Sequence, residues 1–217
     1  MALALGKEGA KVTLVSRTRS ELDAVAAEVR AAGGQAQVFA GDLRKPAFAT
    51  DAVAAATTAH GGLQILVNNA GVGGFANLAD TTDESWDDIL ATNLTAVFKL
   101  TRAAIPQLAK SGGHVFMVSS LAGSNPIAGM AAYCASKAAL DQLATCLMLE
   151  VRQLGIKVTT VAPGSVDTTF GGSPRADTSW MLTPDDIAGA ILDLLRARDG
   201  AHLSRVEMRP ARPQKRV

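Results

Sequence analysis

Tyr133 and Lys137 stand four residues apart in Tyr133-Cys134-Ala135-Ser136-Lys137. On a helix that spacing puts the phenol and the ammonium on one face. A neighbouring cation favours phenolate over phenol, which makes a tyrosine a better acid-base group near neutral pH. Such pairs also arise as a surface tyrosine beside a solvated lysine. Three further features favour chemistry. Tyr133 is the only tyrosine of the chain, Ser120 lies thirteen residues before it at the end of an apolar run, and Asn93 interrupts a helical pattern upstream. Asparagine is unfavourable inside a helix because its amide competes for backbone hydrogen bonds. A site role or a helix kink would each account for it.

These residues need a frame, and the hydrophobic pattern supplies one. Short apolar runs at 12–15, 37–40, 65–67, 114–118, 157–161 and, more weakly, 206–208 predict strands. Continuous runs of this length suit strands covered on both faces. Helices are predicted between them at 20–32, 46–59, 83–108, 130–154 and 183–197. Thr183-Pro184-Asp185-Asp186 reads as an N-cap, a proline at the first helical position and acids in the first turn. Gly33-Gly34 and Gly155 fall where a left-handed residue ends a helix. The alternating order predicts an α/β fold, a doubly wound, Rossmann-like parallel sheet with helices on both faces. Residues 1–208 read as one domain and 209–217 as a basic tail.

The 217 residues suffice for one sizeable core, and the formal net charge of +1 gives no reason to expect nucleic acid or a membrane surface. No apolar run approaches the roughly 20 residues that span a bilayer, and the first ten residues lack a signal-peptide pattern. Cys134 and Cys146 lie twelve apart in one predicted helix, about 18 Å by helix rise, too far for a bridge. They read as free thiols, and the cytoplasm is the expected compartment. His60, His114 and His202 are scattered without ligand spacing, so no metal is expected.

The chain resembles the short-chain dehydrogenase/reductase family, close to its 3-oxoacyl-carrier-protein-reductase-like members. The resemblance rests on Asp42-Leu43, Asn68-Asn69-Ala70-Gly71, Asn93, Ser120, Tyr133-x-x-x-Lys137 and Pro163-Gly164-Ser165-Val166-x-Thr168, in the family's order and spacing. It implies that Tyr133 is the general acid in carbonyl reduction and the base in alcohol oxidation. Lys137 would tune Tyr133 and bind the nicotinamide ribose. Ser120 would polarise the substrate carbonyl, with Ser119 as its rival. Asn93 would hold a water that links Lys137 to solvent. Asn69, Ala70 and Gly71 follow a strand end, where this fold places ligands. Asp42 and Leu43 would meet the adenine, although Asp42 before Lys45-Pro46 also reads as a helix N-cap. Pro163, Gly164, Val166 and Thr168 would bracket the nicotinamide, and the segment 164–181, with Phe170, Trp180 and Met181, would form a lid.

Cofactor choice turns on the strand end Leu14-Val15-Ser16-Arg17. An acid there would hold both ribose hydroxyls and repel a 2′-phosphate. Ser16 and Arg17 suit a phosphate instead, so NADP(H) is expected over NAD(H). The implied substrate is a small-molecule carbonyl/alcohol pair. The family also implies a homodimer or homotetramer that pairs helices 83–108 and 130–154.

One departure stands out. The stretch from Met1 to Val12 reads as the end of a helix, a glycine stop and a strand, without the strand and glycine-rich turn that open a dinucleotide fold. The first central strand is therefore expected to be missing, with Met1 an internal methionine of a longer protein and a gap between the strands that begin at Val12 and Ile65. The competing reading from another class is a non-catalytic scaffold or partner subunit. The intact Ser120, Tyr133 and Lys137 set argues against it.

Overall fold

A computed structural model describes residues 1–170 and 177–212. Helix α1 (Ala2–Lys7) leads into strand β1 (Lys11–Ser16), α2 (Arg19–Ala31), β2 (Gln35–Ala40), α3 (Phe48–His60) and β3 (Ile65–Asn68). Then come α4 (Asp83–Leu90), a π-helical turn (Ala91–Thr95), α5 (Ala96–Ser111) and β4 (His114–Val118). The last elements are α6 (Ala131–Val151), β5 (Lys157–Pro163), α7 (Pro184–Leu195) and β6 (Arg205–Met208). All six predicted strands are present, and every pairing is parallel.

The β4 sequence shows why the expected layers form. Every residue of β4 is buried. Side chains alternate between the faces of a strand. Val115 and Met117 join Leu108 of α5 and Leu140, Ala144 and Leu147 of α6 in one core. Phe116 turns the other way and packs with Val161, Ile187, Ile191 and Leu194 in a second core under α7. Burying a side chain such as Leu140 contributes about 1.5–3 kcal/mol. Helix α7 starts with a capping box, Asp186 N–H donating to Thr183 Oγ1 at 3.2 Å and Thr183 N–H donating to Asp186 Oδ2 at 2.7 Å. The turn after α6 ends on Gly155 with φ 74°, a left-handed value that costs glycine nothing.

The sheet is not continuous. Strands β3-β4-β5-β6 form one four-stranded sheet, and β1-β2 form a separate pair. Between β1 and β3 lies a cavity of about 790 Å³, lined by Val12 to Arg17 on one side and Ile65 to Asn68 on the other. Among the described residues no strand pairs with either facing edge. The gap falls where the sequence leads one to expect it. The two parts are held together by other contacts. Val53 of α3 sits in the core of α5 and α6, and Arg196 pairs with Glu8 at 3.0 Å.

The predicted helix 83–108 is three segments, because the chain widens into a π turn at Ala91–Thr95. The basic tail is described only as far as Arg212; residues 213–217 lie outside the described residues. No helix among the described residues is long and apolar enough to cross a membrane.

Candidate active site

Helix α6 brings Tyr133 and Lys137 onto one buried face, 9% and 4% exposed. The Lys137 ammonium lies 5.8 Å from the centre of the Tyr133 ring and donates to the carbonyl of Val118, the last residue of β4, at 2.9 Å. Ser120 follows β4 and caps the short 3-10 turn Leu121–Gly123, its Oγ accepting from Ala122 N–H at 3.1 Å. Its side chain also acts on the Tyr133 phenol, in the direction that lowers the phenol pKa. Ser119 turns away and reaches the backbone carbonyl of Lys137 at 3.5 Å. Of the two serines, Ser120 is the one whose side chain acts on the phenol, while Ser119 is engaged with the backbone of α6.

The proton energetics differ from the sequence expectation. Burial is the largest influence on Tyr133 and raises its pKa; the Ser120 side chain opposes it, and Cys134 adds to it. Burial also pulls Lys137 down to about 8, with Asp141 acting in the other direction. A lysine near 8 is close enough to neutrality to exchange protons in ordinary buffer. Lys137 is not among the influences on the phenol, whose pKa is set chiefly by its withdrawal from water.

Asn93 explains the π turn. It is fully buried, and its amide ties three segments together. Oδ1 accepts from Val72 N–H at 2.8 Å, while Nδ2 donates to Val72 O at 2.9 Å and Ser136 Oγ at 3.0 Å. Ser136 Oγ donates onward to Tyr133 O at 2.7 Å. Both amide protons are thus taken, and one lone pair of Oδ1 is left for a water. Gly71 borders this place: a Cβ there would lie 3.5 Å from Asn93 Oδ1 and 3.6 Å from Lys137 Nζ. Val72 and Ser136 carry no signal in the sequence, since a small hydroxyl in a helix has many uses.

Seven of the expected cofactor residues line the cavity, and Pro163, Gly164, Val166 and Thr168 do not. Ser16 and Arg17 leave β1, Asp42 and Leu43 leave β2, and Asn69, Ala70 and Gly71 leave β3, all at carboxyl ends of parallel strands. Asn68 is pinned inward by Thr101 Oγ1 at 2.9 Å, so the chain turns just beyond it. Asp42 is not an N-cap, because α3 begins at Phe48. Its carboxylate is gripped by Arg44, Nη2 to Oδ2 at 2.7 Å and Nε to both oxygens at 3.0 Å, and this holds its pKa down to about 2. Arg44 also pairs with Asp88 of α4. The sequence reading missed Arg44, since an aspartate two residues before an arginine is commonplace.

Beyond β5, Gly164 N–H donates to Met208 O at 2.8 Å, and a Cβ on Gly164 would come within 3.1 Å of Leu121 in the Ser120 turn. Val166 bridges to Leu182. Thr168 is exposed, with Oγ1 accepting from Phe170 N–H at 3.3 Å. Phe170 returns over the site, its ring 5.4 Å from that of Tyr133. Of the expected lid, residues 171–176 lie outside the described residues; Trp180 ties back to Asp177 O at 3.2 Å. Ser120, Tyr133, Lys137, Asn93 and Gly71 therefore converge. Ser16, Arg17, Asp42 and Leu43 gather at the other strand ends, and Thr168 stands at the surface.

A family model described as "short chain dehydrogenase" matches residues 1–179. The chain is 38% identical over 199 residues to 2,5-dichloro-2,5-cyclohexadiene-1,4-diol dehydrogenase LinX of Sphingobium indicum, covering 90% of this chain and 78% of that protein. It is 34% identical over 212 residues to 2-(S)-hydroxypropyl-CoM dehydrogenase 3 of Xanthobacter autotrophicus, covering 90% and 83%. Among solved structures, a metagenomic short-chain oxidoreductase in complex with NADP superposes with a TM-score of 0.85 at 38% identity, covering 98% of this chain and 90% of that one. An alcohol dehydrogenase from the archaeon Thermococcus sibiricus, complexed with 5-hydroxy-NADP, superposes with a TM-score of 0.92 at 25% identity, covering 99% and 92%.

Proposed function

The chain belongs to the short-chain dehydrogenase family and is an oxidoreductase that interconverts alcohols and carbonyls by hydride transfer; on that premise we propose that it uses NADP(H) and that Tyr133 is its general acid and base. The observation that carries the Tyr133 reading is the burial of its phenol and the Lys137 ammonium on one face of α6, 5.8 Å from ring centre to nitrogen and packed against Ala122 of the Ser120 turn.

The donors at the strand ends fit a dinucleotide. Ala70 and Gly71 follow the carboxyl end of β3, and Gly71 lies beside Lys137 with room for a close approach. Ser16 and Arg17 would hold the 2′-phosphate, Asp42 and Leu43 the adenine, and Pro163, Gly164, Val166 and Thr168 the nicotinamide side. When bound, the nicotinamide supplies or accepts the hydride. Ser120 donates to the carbonyl oxygen and holds it against Tyr133, and Tyr133 delivers the proton. Lys137 orients the ribose and returns the proton to Tyr133, resupplied through a water on the free lone pair of Asn93. Oxidation runs the same groups in reverse, with Tyr133 as base.

The substrate in this reading is a secondary alcohol/ketone pair, and the motif set supports a 3-oxoacyl-carrier-protein-reductase-like member. A cytoplasmic homodimer or homotetramer pairing α5 and α6 completes it, supported by the exposed Phe98 and Leu149 on those helices. The test is tryptophan quenching by NADPH and NADH, followed by NADPH oxidation with a panel of ketones. Tighter binding of NADPH and turnover lost in Tyr133→Phe are the expected results. Equal binding of the two nucleotides would remove the cofactor assignment, and a fully active Tyr133→Phe would remove the mechanism.

A further inference from the structure

One partly buried acid near the site is absent from the mechanism above. Asp141 lies one helical turn beyond Lys137 in α6. Its Oδ2 accepts from Arg205 Nη1 of β6 at 2.8 Å. Its Oδ1 is buried and has no hydrogen-bond partner among the described residues. Buried carboxylate oxygens normally have partners, so an unpaired one needs a reason in the field around it.

The Ser120 turn is part of that surrounding. A Cβ added to Gly123 would lie 2.8 Å from Asp141 Oδ2 and 3.1 Å from the Lys137 carbonyl carbon and oxygen. The turn that carries Ser120 is therefore seated directly on the Lys137–Asp141 stretch of α6. Arg205 also pairs with Glu207 at 3.3 Å, and Glu207 with Arg209 at 2.8 Å. A chain of alternating charges thus runs from Arg209 through β6 to Asp141, one helical turn from the lysine.

We propose that Asp141 is a positioning residue: held between Arg205 and the Ser120 turn, it keeps the buried Lys137 in its ammonium form and so couples strand β6 to proton transfer at Tyr133. This rests on the role given to Lys137 in the proposed function. The surroundings of Lys137 leave the part to Asp141. Tyr133 and Cys134 share its helix; β4 presents the Val118 carbonyl, the β3 loop presents Gly71, the π turn presents the neutral Asn93, and the Ser120 turn presents Gly123. Arg205, Glu207 and Arg209 approach from β6 through Asp141. Asp141 raises the pKa of Lys137 against the larger lowering by burial, and Arg205 shares its charge.

This geometry makes two removals act in opposite directions. Asp141→Asn keeps the shape and deletes the charge, so Lys137 should lose its proton at lower pH, by about half a unit or more. Arg205→Gln deletes the competing cation, so Lys137 should hold its proton to higher pH. The measurement is an NMR titration of ε-13C-labelled lysines, with the Lys137 signal identified by its loss in Lys137→Gln. The alkaline limb of kcat/KM should move with the titration. Lys137 titrating at the wild-type position in both variants, or moving the same way in both, would overturn the proposal. Thermal melts check folding, and if Asp141→Asn unfolds, the upward shift in Arg205→Gln decides alone. The titration needs neither cofactor nor turnover. Opposed shifts in an inactive chain would sink the proposed function only, and unshifted titrations in an active chain would sink this inference only.

Discussion

Strands β4 and β1 are both short apolar runs, yet they end in different surroundings. β4, His114–Val118, lies between β3 and β5 and is buried at every residue. β1, Lys11–Ser16, pairs only with β2, faces the cavity on its other edge, and has Leu14 as its one buried residue. The proposed reacting groups hang on the closed half: Ser120 follows β4, and Tyr133 and Lys137 lie on α6, which packs on β4 and β5. The phosphate and adenine candidates, Ser16, Arg17, Asp42 and Leu43, hang on the open half. On the proposed function, acid-base geometry is thus set by a closed core, while nucleotide binding depends on a part with less to hold it. Regions with fewer buried contacts open at lower free energy.

The sharpest way to break this comparison is Tyr133→Phe. Turnover should fall about a thousandfold or more, with NADPH quenching and melting temperature unchanged. A variant that loses binding instead would show that the two halves are not separable. The next effect is on stability in acid. Burial, then His202 and Lys157, lower the pKa of His114 in β4 to about 4. The unfolded chain, with an ordinary histidine, takes up the proton between about pH 6.5 and 4. Stability should therefore be complete above pH 6.5, fall by about 3 kcal/mol on the way to pH 4, and level off below it. Urea unfolding against pH measures this, and His114→Gln should flatten the slope.

Amide exchange sharpens the comparison from the other side. Protection of Leu14 and Val15 in β1 should be at least about a hundredfold lower than that of Val115 to Val118 in β4. Saturating NADPH should narrow that difference, and equal protection would contradict the division into halves. The smallest effect is expected at Arg17. Arg17→Ala should weaken NADPH binding about tenfold, the scale of one charged hydrogen bond, and leave NADH unchanged in the same quenching assay.

Much of this was legible in the sequence because periodicity and strand-end motifs are local. The six strands appear within a residue or two of their expected bounds, and 114–118 is unshifted. The gap beside β1 could also be read, since the segment before Val12 carries no strand. The convergence of Ser120, Tyr133, Lys137 and Asn93 was carried by spacing and by family resemblance. What could not be read depends on partners distant in sequence. Asn93 is tied to Val72, twenty-one residues away, and that bond explains the π turn. The hold of Arg44 on Asp42 and its link to Asp88 needed the fold to bring them together. The direction of the Tyr133 pKa is of the same kind: an i,i+4 cation is visible in a sequence, whereas burial of the phenol is not.

The solitary status of Tyr133 has a spectroscopic consequence. Phenolate absorbs in the near ultraviolet where neutral phenol does not, and most proteins blur that signal over many tyrosines. Here a single chromophore, 9% exposed, contributes all of it. An alkaline absorbance titration of the unlabelled wild-type chain is therefore a one-site reading, and each change at Ser120, Lys137 or Asp141 can be followed as a shift in one curve.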